Sequence, residues 1–175
     1  MFSPNNMKRS FILILIACTI HPFVFGQNIK YKAVYIYNFT RHVEWPSSVN
    51  SPEFSIGIYN DDELAEEIGR TFAGKSLGNQ VLAIKRFHEI SQVIPCHILF
   101  IGTKSSAKIP DIIAKTSGFP TLIIGDKDGM IKNGACINFV YKDGKVLFEL
   151  SKAAMQARSL KTSTYLENLA IIVNQ

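Results

Sequence analysis

Residues 69–76 have the spacing of a phosphate-binding loop, GxxxxGKS. In such loops the glycines follow a strand and open a helix, so that backbone amides and the helix dipole converge on a phosphate. Here the order is reversed, because a predicted helix over residues 62–72 precedes the match and a predicted strand follows it. The pattern therefore indicates a helix that ends near a glycine and continues into a polar turn, not a nucleotide site.

The other residue types that support catalysis or metal binding are dispersed along the chain. His42, His88 and His97 lack the HxxxH or CxxC spacing that pre-arranges metal ligands. Asp126 and Asp128 begin like a calcium loop, but the later ligands and the closing glutamate are missing, which indicates a turn. No GxSxG nucleophile motif occurs. We expect no catalytic residue, no metal and no cofactor, and hence a binding protein rather than an enzyme.

The amino terminus has the layout of a secretory signal peptide. Lys8 and Arg9 precede the apolar run FILILIA, which is too short to span a bilayer, and Gly26 fits the position before a cleavage site. We expect residues 1–26 to be removed and the protein to work outside the cytosol. The alternative is that Cys18 ends a lipobox and is lipidated, although the apolar stretch continues beyond it, which favours soluble export.

The remaining 149 residues suit one domain over 27–175 with a mild positive charge. The signal region contributes two basic side chains, so seventeen basic and fourteen acidic side chains remain, for a net charge of +3. A nucleic-acid-binding surface is normally more strongly and more locally basic, so we expect no nucleic-acid partner.

Two cysteines, Cys96 and Cys136, remain after export. An oxidising compartment permits a disulfide between them. Each cysteine also precedes an apolar strand-like run, which is typical of a buried free thiol. The residues alone leave both alternatives open.

Apolar runs alternate with helical patterns along the mature chain. The helix over 62–72 would have an N-cap among residues 60–61 and bury Leu64, Ala65, Ile68 and Phe72. A second helix would start at Ser105 or Ser106 and end at Gly118. Residues 29–45 fit a strand or a helix equally well. The predicted strands cover residues 54–59, 81–87, 97–102, 121–125, 137–141 and 146–150.

The carboxyl-terminal part adds a hairpin and helices to this alternation. Asp143-Gly144 favours a type I′ turn. Ser151 would cap a helix that continues over 162–173 after a break near Ser159. The pattern predicts an α/β fold, a single-domain Rossmann-like three-layer sandwich with a mixed sheet, a C-terminal β-hairpin and helices.

Three sequence blocks resemble the YfiR-like (YfiR/HmsC-related) family of secreted bacterial proteins. The first is KAxYxxNFxRxxEWP over residues 32–46, and the second combines CHILFI at 96–101 with PTLIIGD at 120–126. The third runs from GACINF through KVxFEL, AA and LKxS to LA, over 134–170. The family more commonly has Ala-Gly-Leu-Lys where this chain has Arg-Ser-Leu-Lys at 158–161.

The resemblance implies a helix over residues 29–44 and a non-enzymatic function. Family members are periplasmic, often homodimeric, and inhibit a membrane diguanylate cyclase through its periplasmic domain. We therefore expect a regulatory or sensor protein whose partner is the periplasmic domain of a cyclase or sensor kinase. The alternative is a periplasmic small-ligand carrier or an envelope enzyme with dispersed site residues.

Four residues in these blocks are candidates for binding the partner or a ligand: Arg41, Trp45, Arg158 and Lys161. Arg41 and Trp45 lie one helical turn apart, so the guanidinium is expected to stack on the indole, either as a structural staple or at the lip of a site. Residues 155–160 are expected either to pack in the core or to expose apolar surface to a partner helix or twin subunit.

Overall fold

The computed structural model describes residues 23–75 and 77–174. The predicted signal peptide and Cys18 therefore lie outside the described residues, apart from positions 23–26. The helices are α1 (Phe23–His42), α2 (Asp62–Phe72), α3 (Ile109–Lys115), α4 (Lys152–Ala157) and α5 (Thr164–Leu169). The strands are β1 (Val43–Glu44), β2 (Glu53–Tyr59), β3 (Val81–Phe87), β4 (Ile98–Ile101), β5 (Leu122–Gly125), β6 (Ile137–Lys142), β7 (Lys145–Ser151), β8 (Lys161–Thr162) and β9 (Ile171–Val173).

A mixed seven-stranded sheet in the order β3-β2-β4-β5-β6-β7-β9 forms the centre of the molecule. The strands from β3 to β6 pair in parallel, β7 is antiparallel to β6, and β9 is parallel to β7. The chain leaves β2 towards β3 but leaves β4 towards β5, so right-handed crossovers place α2 and α3 on opposite faces. The predicted three-layer α/β sandwich with a mixed sheet is confirmed.

Helix α1 packs its apolar side against the sheet. Ala33, Ile36 and Phe39 recur at helical spacing and are fully buried. Phe39 contacts Phe148 edge to face, with ring centroids 5.2 Å apart. The helix implied by the family resemblance is confirmed, although it ends at His42 because the chain then enters strand β1.

A second, two-stranded sheet ties the end of α1 to the segment after α4. In this antiparallel pair Val43 lies opposite Thr162, and Glu44 opposite Lys161. The backbone N–H of Ser163 also donates to the carbonyl of His42 at 2.9 Å. The small sheet therefore brings two distant parts of the chain together.

The capping residue of α2 and the turn residues of the hairpin predicted both elements correctly. Asp61 caps α2 by accepting a hydrogen bond from the backbone of Leu64, and the four predicted inward residues are buried. In the hairpin, Asp143 and Gly144 have φ values of 51° and 72°, as a type I′ turn requires.

The predicted helix from Ser105 or Ser106 to Gly118 is shorter at both ends in the structure, where α3 covers Ile109–Lys115. Residues 103–108 form a 3₁₀ helix, and α3 begins only at Ile109, with Pro110 in its first turn. Proline is favoured there because the first helical N–H groups need no partner within the helix.

The predicted helix over 162–173 is wrong at both ends. Residues 161–162 form β8, and Ser163 then caps α5 by accepting a hydrogen bond from the backbone of Leu166. Ala170 is extended, and Ile171–Val173 pairs with β7. The β-branched side chains of β9 suit this edge of the sheet. Met155 and Leu160 are buried, so these two large apolar side chains pack in the core and are not presented to a partner, whereas Gln156, Ala157 and Ser159 are exposed.

Candidate functional site

Three adjoining cavities lie near the amino ends of β2, β4 and β5. Their volumes are about 610, 540 and 630 Å³. The first and second share Trp45, and the second and third share Pro46 and Ser159. In the same order, we call them the Arg41, Lys161 and Arg158 cavities, after the basic residue in each. The three cavities together are called the Trp45 groove. The structure thus brings all four sequence-predicted residues to one groove.

Trp45 divides the Arg41 cavity from the Lys161 cavity. Its indole N–H donates a hydrogen bond to the carbonyl oxygen of His97 at 3.2 Å, and its ring meets Phe54 edge to face with centroids 5.2 Å apart. The side chain is only half-buried, so part of the indole remains accessible in the groove.

The predicted stacking of Arg41 on Trp45 is wrong. The guanidinium of Arg41 instead lies over the ring of Tyr37, 5.9 Å from its centroid. Tyr37 precedes Arg41 by one turn of α1, so the cation–π contact forms within the helix. Arg41 remains exposed and lines the same cavity as Trp45.

Lys161 and Glu44 lie opposite each other in the small sheet, and both are exposed in the Lys161 cavity. Arg158 lies in the next cavity, where burial lowers the pKa of its guanidinium. Among the charged residues that line the groove, three are basic and one is acidic. The groove is therefore mainly positive.

His97 closes the inner end of the Arg41 cavity and is neutral. Its Nδ1 accepts a hydrogen bond from the backbone N–H of Ser55 at 3.1 Å, so the ring proton lies on Nε2, which faces the carbonyl of Val49 at 3.3 Å. Burial lowers the pKa of His97, which favours the same neutral form. His97 is therefore a buried histidine whose two ring nitrogens both face hydrogen-bonding groups of the protein.

Sequence reasoning missed a buried ion pair at the opposite, carboxyl-terminal edge of the sheet. Lys32 on α1 donates to Asp126 Oδ2 at 2.8 Å, and both side chains are buried. Thr103 donates to the same oxygen at 3.1 Å, and Tyr141 donates to Oδ1 at 2.7 Å. Burial and the hydrogen bond to Asp126 raise the pKa of Tyr141.

The interpretation of Asp126 as only part of a turn is therefore wrong. Asp126 directly follows β5, and side chains at the carboxyl ends of parallel strands meet at one edge of the sheet. This position directly after a strand was the sequence signal from which the role of Asp126 could have been predicted. Within the described residues no three histidine, cysteine or acidic side chains cluster as metal ligands.

The structure confirms the prediction for the phosphate-loop match. Helix α2 ends at Phe72, and Gly74 follows with φ of 70°. The ammonium of Lys75 lies 4.2 Å from the centroid of the Tyr37 ring. This lysine therefore contacts an aromatic ring at the end of a helix.

Cys96 and Cys136 are both buried free thiols. They precede β4 and β6, and β5 lies between those strands. Two strand spacings alone separate the cysteines by at least about 10 Å, which exceeds the reach of a disulfide. Of the two alternatives left open by the sequence, the structure has the free thiols.

No helix within residues 23–75 and 77–174 is long and apolar enough to cross a membrane. The sequence profile of the YfiR/HmsC-like family matches residues 29–171. A search of curated proteins gave no match.

Two solved structures share the fold. A conserved domain protein from Vibrio cholerae O1 biovar El Tor is 12% identical, with a TM-score of 0.59 over 84% of this chain and 60% of that chain. The ABC domain from Streptococcus pneumoniae, solved in complex with L-Trp, is 8% identical, with a TM-score of 0.51 over 68% of this chain and 54% of that one. This chain therefore spans little more than half the length of each neighbour, and at these identities the likeness concerns the fold alone.

Proposed function

The chain belongs to the YfiR/HmsC-like family, and we propose that it restrains a membrane diguanylate cyclase by binding the periplasmic domain of that cyclase. At the level of the family, the members are periplasmic, non-enzymatic regulators of diguanylate cyclases. Residues 1–26 act as the export signal, and residues 27–175 form the regulatory domain.

One observation carries the assignment of the binding surface: Arg41, Trp45, Arg158 and Lys161 all line the Trp45 groove. A partly exposed tryptophan held by a hydrogen bond is a rigid apolar contact, and tryptophan and arginine are enriched among residues that dominate binding energy. The basic residues around it favour acidic side chains on the partner. The partner segment therefore inserts an apolar side chain beside Trp45 and flanks it with carboxylates.

The regulator acts as a homodimer whose contact lies at the α5–β9 end of the sheet. Tyr165, Leu169 and Ile171 are 57%, 50% and 45% exposed and lie within seven residues of sequence. Strand β9 is also the last strand of the sheet in the observed order, and an exposed edge strand tends to pair with another chain. Tyr165, Leu169 and Ile171 do not line the Trp45 groove, although Lys161, which does, lies only four residues before Tyr165.

The test of the regulatory function replaces Trp45 by alanine in the producing bacterium and measures cyclic di-GMP. We expect Trp45→Ala to raise cyclic di-GMP as far as deletion of the protein does, because the cyclase is then no longer restrained. The matched control is Tyr31→Ala, since Tyr31 is an aromatic residue that is 55% exposed on the first half of α1.

Periplasmic levels of each variant must be compared by immunoblotting, because Trp45 also packs on Phe54. Trp45→Phe keeps an aromatic ring and is expected to accumulate normally. Unchanged cyclic di-GMP in the deletion strain would refute control of a cyclase. A Trp45→Ala variant that accumulates and still represses fully would refute the assignment of the groove.

A further inference from the structure

The imidazole of His97 is enclosed beneath Trp45, and the residue as a whole is only 5% exposed. Its ring stacks on Phe54 with centroids 4.5 Å apart, and the rings of Trp45 and Phe119 meet it edge to face at 6.2 and 5.7 Å. The backbone carbonyl of the same residue accepts the hydrogen bond from the indole. The position of Trp45 therefore depends on both the main chain and the ring of His97.

The surroundings of this ring admit one neutral form of the imidazole. Nδ1 lies 3.1 Å from the backbone nitrogen of Ser55 and accepts its proton, whereas Nε2 faces the carbonyl of Val49 at 3.3 Å and donates to it. Pairing of β2 with β4 begins only at Ile56 and Ile98. The imidazole therefore supplies the acceptor that a strand carbonyl would otherwise give to the N–H of Ser55.

Protonation would turn this acceptor into a donor. Imidazolium has a proton on both nitrogens, so the new Nδ1–H would face the N–H of Ser55, and a buried backbone donor would lose its partner. The hydroxyl of Ser55, also 3.1 Å from Nδ1, can accept from imidazolium but does not restore that lost bond. The charge would in addition lie among three aromatic rings, away from water. Imidazolium therefore fits this position poorly.

The charged residues near His97 supply no free counter-charge. Glu53 at the start of β2 is paired with Lys85 of β3 at 2.9 Å, and Arg41 of α1, which lines the same cavity, repels a cation. Glu44 lines the neighbouring Lys161 cavity. Burial and the charge of Lys85 lower the pKa of His97, and burial outweighs the opposing hydrogen bond and the charge of Glu53. The folded protein therefore keeps the ring neutral where a free histidine is already protonated.

We infer that His97 is a proton sensor for the Trp45 groove: protonation moves the imidazole away from Ser55, and Phe54, on which Trp45 packs, loses its stacked support. The Arg41 cavity then opens, and the groove loses its rigid apolar contact. A protein outside the cytosol meets the pH of its surroundings, and histidine is the side chain that titrates in that range. The effect on the partner deepens the proposed function and rests on it, whereas the change at Trp45 does not.

The first test follows the fluorescence of Trp45 in the purified exported protein, because the chain has one tryptophan. The emission should change in a one-proton step whose midpoint lies below 6.5, as the indole moves from a fixed contact towards water. His97→Asn keeps an acceptor near the position of Nδ1 but does not titrate, so the step should disappear. His88→Asn removes an exposed histidine and should leave the step unchanged.

Stability should change in the same pH range. The stabilisation by the neutral ring is complete above 6.5, the ordinary pKa, and decreases as the pH falls from there to the lower pKa of the folded protein. Between about pH 7 and pH 5, the melting temperature of wild type should fall by at least about 2 °C more than that of His97→Asn. Nitrogen-15 NMR of the wild-type imidazole follows the same proton directly, so the test stands even if the variant does not fold.

The second test measures cyclic di-GMP in the producing bacterium at an external pH of about 7.5 and of about 5.5. In the acidic medium the wild-type strain should lose repression and approach the level of the deletion strain. The strain with His97→Asn should stay repressed at both values, with equal periplasmic levels of the two proteins by immunoblotting.

The two tests separate the sensor from its effect on the partner. An unchanged emission, a midpoint at or above 6.5, or the same step in His97→Asn would overturn the proton sensor. A step in vitro together with equal repression by wild type in both media would overturn the control of the partner. If the step occurs but deletion leaves cyclic di-GMP unchanged in both media, the proposed function fails while the proton sensor stands.

Discussion

At the residue scale, the ammonium of Lys32 and the carboxylate of Asp126 meet at 2.8 Å in the interior, with 7% and 4% of their side-chain surfaces exposed. The ammonium also lies 5.7 Å from the centroid of the Phe100 ring. The pair joins α1 to the end of β5, and the hydroxyl groups of Thr103 and Tyr141 complete the shell of the carboxylate. Each charge is compensated only while the other is present.

We expect Lys32→Met to lower the free energy of unfolding by about 3–5 kcal/mol, because it leaves the buried carboxylate of Asp126 unpaired. The double variant Lys32→Met/Asp126→Asn should recover part of this loss, since it removes the uncompensated charge. Urea denaturation followed by circular dichroism measures both values. Arg70→Gln, at an exposed ion pair, should cost no more than about 1 kcal/mol. A loss for Lys32→Met as small as that of Arg70→Gln would contradict the assignment of a buried pair.

The sequence identified the residues of the groove but not those of this ion pair. Trp45 and Arg41 belong to a short motif whose parts are close in sequence. Lys32 and Asp126 are 94 residues apart. Asp126 also lies in a run, DKDG, whose composition is typical of a surface turn. Only the order of strands in the sheet shows that Asp126 lies beneath α1.

At the element scale, the hairpin between β6 and β7 is fixed by two residues with positive φ. Gly144 has φ of 72°, and no atom lies within 4 Å of the position that a Cβ would occupy. A substitution there is therefore penalised by the backbone conformation alone, without a steric clash.

We expect Gly144→Ala to lower the free energy of unfolding by about 1–2 kcal/mol, which is the cost of the left-handed conformation for an L-residue. Asp143→Asn is the control, since asparagine adopts positive φ readily and should change stability by less than about 0.5 kcal/mol. Thermal and urea unfolding measure both variants. Equal stability of Gly144→Ala and wild type would indicate that the turn has a different conformation.

Elements whose capping residues and apolar pattern lie within the element itself were predicted closely. Elements that depend on pairing with distant strands were not. Helix α2 has an N-cap, acidic residues in its first turn and an amphipathic pattern, and its bounds match the prediction. The segment from 161 to 173 contains three short elements instead of one helix. Its apolar spacing fits a helix, but pairing of β8 with β1 and of β9 with β7 decides the outcome. Such long-range pairing overrides local propensity.

At the scale of the whole molecule, the Trp45 groove and the α5–β9 surface have different lining residues but adjoin at β8, because Lys161 lines the groove and α5 begins at Thr164. The groove is assembled from the end of α1, the turn after α3 and the end of α4, so no stretch of sequence contains it. The small sheet holds the first and last of these parts together.

Because Leu169 does not line the groove, the dimer contact can be tested alone. We expect Leu169→Lys to convert a dimer into a monomer, because it places a charge in the exposed apolar surface of Tyr165, Leu169 and Ile171. Lysine in the last turn of α5 is favourable for the helix, so the fold should be retained. Light scattering after size-exclusion chromatography should show the mass halved. Ile94→Lys, at a 46% exposed residue between β3 and β4, should leave the dimer intact. A monomeric wild type, or a dimeric Leu169→Lys variant, would refute this contact.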